Sequence, residues 1–249
     1  MNDTIKHKGI ILAGGKGTRL NPLTLVTSKQ LLPIYDRPMI FYPLQTLIDS
    51  GIKDILIITN PEDIEVFEKL IGDGSEWNCS IKYAVQKKPE GIAQAFLIAK
   101  EWLNNDPVVL ILGDNIFLKA GVSKLLSDSL QGDDGAIVFS YKVSDPSRYG
   151  IINFDKDKRI INIEEKPLKP LSNWAVTGLY VYDKNVVEYS EKLKPSERGE
   201  LEITDLNNMY LDKEKLDVRF LSEDSYWLDA GTIDALLDAS ILVRDLSKK

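Results

Sequence analysis

Cysteine is almost absent from this chain of 249 residues: Cys79 stands alone, so no internal disulfide can form and a cysteine-built zinc site is excluded. Histidine is equally scarce. His7 is the only one, and neither a histidine-centred triad nor a histidine metal cluster is expected. No apolar run approaches the ~18 residues that a membrane helix needs. Met1 to Lys8 has none of the apolar character of a signal peptide, so a cytoplasmic location is expected. Positive charge is in deficit: 31 Lys and Arg face 38 Asp and Glu, a net charge of −7, with no long basic run. That balance argues against nucleic acid or an anionic membrane as partner, while leaving room for a local basic pocket. Repeats and low-complexity stretches are also missing.

The rest is ordinary globular composition, with 43% hydrophobic and 28% charged residues. A chain of this mass can bury roughly 70% of its unfolded surface, enough for one substantial core.

The first half alternates short apolar runs with helical patterns. Gly9–Ala13, Asp54–Thr59, Ser80–Val85 and Val108–Leu112 read as strands. Met39–Ser50, Pro61–Ile71 and Ile92–Leu103 read as helices, the first with Pro38 near its start and Gly51 just past its end. This alternation predicts an α/β fold with a mainly parallel sheet and helices on both faces. After Gly150 the pattern changes. Ile151–Phe154, Ile160–Glu165 and Ala175–Tyr182 read as strands of a smaller, more antiparallel lobe, and Thr204–Leu211 and Thr232–Leu246 as helices. No linker composition separates the two parts, so one continuous domain with a cleft is expected.

Ligands of parallel α/β sheets bind beyond the carboxyl ends of the strands. Two features sit there. Leu12-Ala13-Gly14-Gly15-Lys16-Gly17-Thr18-Arg19-Leu20 follows directly on a strand, and its glycines let backbone N–H groups converge on an anion. It is not the dinucleotide fingerprint, whose last glycine or alanine is replaced by Leu20. Nor is it the ATPase loop, because Lys16 is followed by Gly17 rather than Ser or Thr. The second feature is Asp114, just after Leu112; Asp229 stands similarly after the apolar Tyr226–Leu228. Hard oxygen ligands suit Mg²⁺, though Asp also caps helices after strands.

The stretch from Gly9 to Leu20 resembles the signature of the sugar-1-phosphate nucleotidyltransferases. Ser28-Lys29-Gln30-Leu31-Leu32-Pro33, Gly91-Ile92-Ala93-Gln94-Ala95, Leu112-Gly113-Asp114-Asn115, Glu164-Glu165-Lys166-Pro167, Asn173-Trp174-Ala175-Val176 and Arg198-Gly199-Glu200-Leu201-Glu202-Ile203-Thr204-Asp205 continue it in family order. The likeness is strongest to the thymidylyl-transferring branch. It implies a Rossmann-like fold with a nucleotide part over about 8–148, a sugar part over about 149–231 and a C-terminal helix over 232–249. It implies dTTP and glucose 1-phosphate as substrates and Mg²⁺ as cofactor; a homo-oligomer is expected.

The same resemblance implies residue roles. Gly14, Gly15 and Thr18 would hold the triphosphate, Leu12 would join the substrate site, and Arg19 would stabilise departing pyrophosphate. Lys29 would face phosphate across the cleft. Gln86, Gln30 and Gly91 would form the wall around the base, and Asn115 would join the substrate site. Tyr149, Gly150, Glu165 and Val176 would bind glucose, with Lys166 on the sugar phosphate. Asp114 and Asp229 would share the metal, with Asp114 also catalytic. For the segment from Gly199 to Asp205 a structural role is expected first, with Ile203, Leu206 and Tyr210 packing at a subunit contact. Longer members of that family carry a further C-terminal segment of a regulatory site, so weaker feedback is expected here. UTP or CTP with glucose 1-phosphate, and a non-catalytic nucleotide-sugar sensor, remain the alternatives. The sensor is disfavoured because Arg19, Lys29, Asp114, Lys166 and Asp229 are all present.

Overall fold

The computed structural model describes residues 6–119, 121–132 and 134–248. Strand β1 (Lys8–Ala13) leads through the glycine loop to a two-residue hairpin, β2 (Pro33–Ile34) and β3 (Arg37–Pro38), and then to helix α1 (Phe41–Asp49). β4 (Asp54–Thr59), α2 (Ile64–Ile71), β5 (Ser80–Val85), two short helices α3 (Gln94–Ile98) and α4 (Lys100–Leu103), and β6 (Val108–Leu112) complete the alternating half. There follow β7 (Asn115–Leu118), α5 (Val122–Ser129), β8 (Ala136–Lys142), β9 (Gly150–Phe154), β10 (Ile160–Glu165) and β11 (Trp174–Tyr182). The chain continues with α6 (Val186–Lys192), α7 (Ile203–Leu211), β12 (Leu216–Phe220), β13 (Tyr226–Asp229) and α8 (Ile233–Ser247).

β5, β4, β1 and β6 lie side by side in that order and all parallel. β11 runs antiparallel to β6 and carries β8 along its other side, with β12 parallel to β8 beyond. The first part of β11 also meets β9, which forms an antiparallel pair with β10. The antiparallel strands therefore extend the parallel sheet through β11. β7 and β13 form a separate two-stranded ribbon, with Asp229 directly opposite Asn115.

Both faces of the sheet are covered, which is why its central strands are continuously apolar instead of alternating with polar residues. In β1, Ile11 joins a cluster with Leu44 and Leu47 of α1 and Phe67 of α2, while Ile10 joins one with Phe96 of α3 and Leu206 and Tyr210 of α7. Burying each such side chain contributes about 1.5–3 kcal/mol.

Two expectations need correction. The helix read over Ile92–Leu103 is two short helices meeting at Ala99, whose φ −83 and ψ −3 depart from helical values. The apolar spacing did place Ala95, Phe96 and Ala99 inward, but one irregular turn leaves that spacing unchanged. Ile203, Leu206 and Tyr210 do not form a subunit contact. All three are buried in the chain's own core. The Tyr210 hydroxyl donates to Asp183 Oδ1 at 2.7 Å, which satisfies its polar end inside that core.

Candidate active site

The strand order reverses between β1 and β6: from β1 the chain builds outward through β4 and β5, then returns to β6 on β1's other side. Connections leaving β1 and β6 diverge there and open a crevice beyond the carboxyl ends of the strands. The glycine loop enters it from β1, and Gly113–Asp114 from β6. The Gly113 N–H donates to the Leu12 carbonyl at 2.9 Å and ties the two exits together.

The glycine loop is shaped by close approaches. A Cβ on Gly14 would stand 2.2 Å from Gln86 Oε1, so only glycine lets that side chain lie over the loop. Gln86, at the end of β5, is buried and donates from Nε2 to Gln94 Oε1 at 2.7 Å. Gly17 has φ +62, a left-handed conformation that favours glycine. The helical turn Thr18–Leu20 follows and carries Arg19 into the cleft. The turn Lys29–Leu31 packs against the loop, with Lys29 beside Gly15 and Gly17 and the buried Gln30 beside Gly113. Gly91, at φ +106, lies against the Leu201 backbone, where any Cβ would collide at 2.3 Å. That contact explains its glycine locally and joins this turn to the segment before α7.

Beyond the loop, a cavity of about 430 Å³ is lined by Arg19, Asp114, Asn115, Tyr149, Gly150, Glu165, Lys166, Val176 and Asp229 together. Leu12, Gly14, Gly15, Thr18, Lys29, Gln30, Gln86 and Gly91 are not among the residues lining it, and Lys29 links the two groups through its ion pair with Asp114. Glu165 is held from two sides. Its Oε2 accepts from Thr204 at 2.7 Å, and its Oε1 pairs with Lys166 at 3.0 Å. Glu164, one residue earlier, is exposed, as alternation along β10 requires.

Neither Asp114 nor Asp229 caps a helix. Asp114 leads into β7, and the cap of α8 is Thr232, whose hydroxyl accepts from the Ala235 N–H at 3.3 Å. Pairing of β7 with β13 brings the two carboxylates into the same corner. Burial pushes the Asp114 carboxyl up, but the Lys29 ammonium more than compensates and holds it below its usual value. Asp229 moves the other way: burial and the Asp114 charge raise it, and Lys29, Arg19 and Arg148 offset only part.

Several cavity residues were not read as site residues from the sequence. Arg148 makes no ion pair among the described residues and lies over the Tyr149 ring at 5.6 Å. Trp227 was legible in principle, because it is two residues before Asp229 and shares its face of β13. Glu202 and Thr204 belong to a segment whose expected role was structural, and Arg198 stands just before it. Here they line the cavity, with Arg198 bonded to both Glu202 oxygens at 2.8 and 2.9 Å. Asn207 came from no motif.

Asn115 joins three strands. Its Oδ1 accepts from the Gly178 N–H at 2.9 Å and from Trp227 Nε1 at 2.5 Å. A Cβ on Gly178 would lie 2.6 Å from this pinned amide. Gly178→Ala should therefore cost about 1–3 kcal/mol, the range for overpacking a rigid site. A urea midpoint followed by tryptophan fluorescence measures it, and an unchanged midpoint would show that the amide yields.

A crevice at the switch point of a doubly covered α/β sheet, with a glycine loop, unpaired arginines and two convergent carboxylates, defines a protein that handles phosphorylated nucleotides. The chain belongs to the nucleotidyl transferase family, whose profile matches residues 8–245. A glucose-1-phosphate thymidylyltransferase from Neisseria meningitidis serogroup A is 53% identical over 237 residues, covering 95% of this chain and 82% of the relative. One from Mycolicibacterium smegmatis is 51% identical, covering 96% and 83%. A solved Bacillus anthracis structure, described as a glucose-1-phosphate thymidylyltransferase in complex with a sucrose, superposes with a TM-score of 0.89 at 45% identity, covering 96% of both chains. The fold is shared more widely: a UDP-glucose pyrophosphorylase with bound UDP-glucose gives 0.80 at 24% identity.

Proposed function

We propose that this chain transfers a thymidylyl group from dTTP to glucose 1-phosphate, releasing pyrophosphate and forming dTDP-glucose. The observation that carries the reading is the shared crevice: a basic glycine loop on one side, a polar sugar-sized cavity on the other, and Asp114 with Asp229 between them. The thymidylyltransferase relatives, close to half identical over nearly the whole chain, support the same pair of substrates.

In this reaction a phosphate oxygen of the sugar phosphate bonds to the α-phosphorus, and the bond from that phosphorus to the bridging oxygen of pyrophosphate breaks. The attacking oxygen is already anionic, so no general base is required. What the protein must do is hold two polyanions in line and neutralise charge as it redistributes. The loop from Gly14 to Thr18 holds the triphosphate through backbone N–H groups, and Arg19 meets the charge that grows on pyrophosphate. Lys166 binds the sugar phosphate, and Glu165, fixed by Thr204, accepts from a sugar hydroxyl. Gln86 offers an amide edge to the pyrimidine.

One buried and one half-buried carboxylate without a third acidic, cysteine or histidine ligand among the described residues suit Mg²⁺, which takes one or two carboxylates and leaves its other positions to phosphate and water. Asp114 and Asp229 would hold it. When bound, it supplies charge neutralisation and alignment at the α-phosphate.

A pyrophosphate-release assay across nucleoside triphosphates and sugar 1-phosphates tests the reading. With glucose 1-phosphate, dTTP should be used best and UTP second, because a single methyl group is worth only about 1–3 kcal/mol in an apolar pocket. Purine triphosphates should be poor substrates. A preference for ATP or GTP would overturn the assignment.

A further inference from the structure

The geometry points to Lys29 as a removable counter-ion: in the nucleotide-free protein its ammonium occupies the oxygen of Asp114 that a divalent metal needs, and an arriving triphosphate opens the site by drawing Lys29 to itself. The inference rests on the assignment of Asp114 and Asp229 to the metal.

Both oxygens of Asp114 have partners. Oδ1 accepts from Asn115 Nδ2 at 3.2 Å, and Oδ2 holds the Lys29 ammonium. The Asn115 amide cannot be turned round, because its Oδ1 already receives two groups that can only donate, the Gly178 N–H and the Trp227 indole. Oδ1 of Asp114 thereby accepts from a fixed amide, whereas the partner of Oδ2 is a flexible side chain, so Oδ2 is the oxygen more readily freed for a ligand, and Lys29 sits on it.

The pair is well shielded, with side chains only 14% and 11% exposed, so it is not a surface contact that water exchanges freely. Asp229 has no ion pair of its own among the described residues, and Lys29 is one of the cations that offset its charge. Without Lys29, only Arg19 and Arg148 would be left to offset the charge of Asp229 beside Asp114. Lys29 is also placed to leave. Its Cε and Nζ lie 3.8 and 3.9 Å from where a Cβ on Gly15 would be, so the same ammonium borders the loop assigned to the phosphates. Anchored on one stem, it exchanges a carboxylate for phosphate by rotating its flexible chain.

The consequence is a coupling. Metal alone must displace a shielded ammonium and binds weakly. Metal and nucleotide together bind with positive cooperativity, and each must favour the other by the same factor. The protein then resists metal-only states.

Titration with Mn²⁺ alone, followed by loss of the free-ion electron paramagnetic resonance signal, tests this without turnover. Lys29→Gln should bind Mn²⁺ at least about tenfold more tightly than the unaltered protein, because one buried positive charge has gone from the site. Lys29→Arg keeps that charge and should bind as weakly as the unaltered protein. Lys29→Gln combined with Asp114→Asn should lose the gain. The proposal is overturned if Lys29→Gln binds no more tightly, or if Lys29→Arg binds as tightly as Lys29→Gln, which would make the effect one of shape. A different result would remove the metal assignment itself, and the proposal with it: Mn²⁺ held equally well in the presence of dTTP by the unaltered protein, Asp114→Asn and Asp229→Asn.

Discussion

Asp114→Asn and Asp229→Asn should each lower turnover by about 10³-fold or more, while only Asp114→Asn should lower stability. Both remove a carboxylate from the same corner of the cleft, so the chemical loss is shared. Stability separates them. Asp114→Asn leaves the shielded Lys29 ammonium without its partner, which should cost about 1–3 kcal/mol. Asp229 is half-buried and lies close to a second carboxylate, and desolvation and the Asp114 charge both push its carboxyl up. Neutralising it relieves repulsion, so the melting temperature of Asp229→Asn should hold or rise. The double variant should turn over little more slowly than either single one, because both residues serve one ion. Activity should vanish in EDTA and return with Mg²⁺ or Mn²⁺. Steady-state rates and thermal melts on the three variants give the answer. Full activity in EDTA, or two losses that simply multiply, would refute a shared metal.

Arg19→Ala and Lys166→Ala should each cost about 10²–10³-fold in kcat/KM, the scale of losing one donor aimed at developing charge. The two should differ in form. Arg19 lines the cavity and offsets part of the Asp229 charge, but it makes no ion pair among the described residues, so it can turn to the leaving pyrophosphate, and the loss should fall on kcat. Lys166 already shares Glu165 and is half exposed, so its removal should also raise KM for glucose 1-phosphate. Stability should change by no more than about 0.5 kcal/mol in either case, because exposed cations contribute little to folding. Lys166 adopts φ +44, but alanine meets the same backbone strain there and adds none. Near-normal turnover in Arg19→Ala would make that residue a solvated loop cation.

Much of the architecture was legible along the chain, because burial writes itself into local spacing. Gly9–Ala13 and Val108–Leu112 read as strands since both their faces are covered, and the residues after them, the glycine loop and Asp114, were marked as ligand positions by the rule for parallel sheets. Gln86 and Lys29 were placed by resemblance, and the folded chain brings both against the same glycine loop. The register β7 takes against β13 was not legible. Nothing in the pattern around Asn115 announces that Asp229 will stand opposite it, because pairing between distant strands is set by the packing of the whole sheet. The same holds for Arg148, Trp227 and Asn207, which reach the cavity from separate elements, and for the face of α7 expected at a subunit contact. Apolar spacing says that Ile203, Leu206 and Tyr210 are covered; only the path of the surrounding chain says by what. Periodicity is a property of one segment and its solvent, whereas a site is a property of several segments meeting, and the long-range contacts that join them leave no mark on any one of them alone.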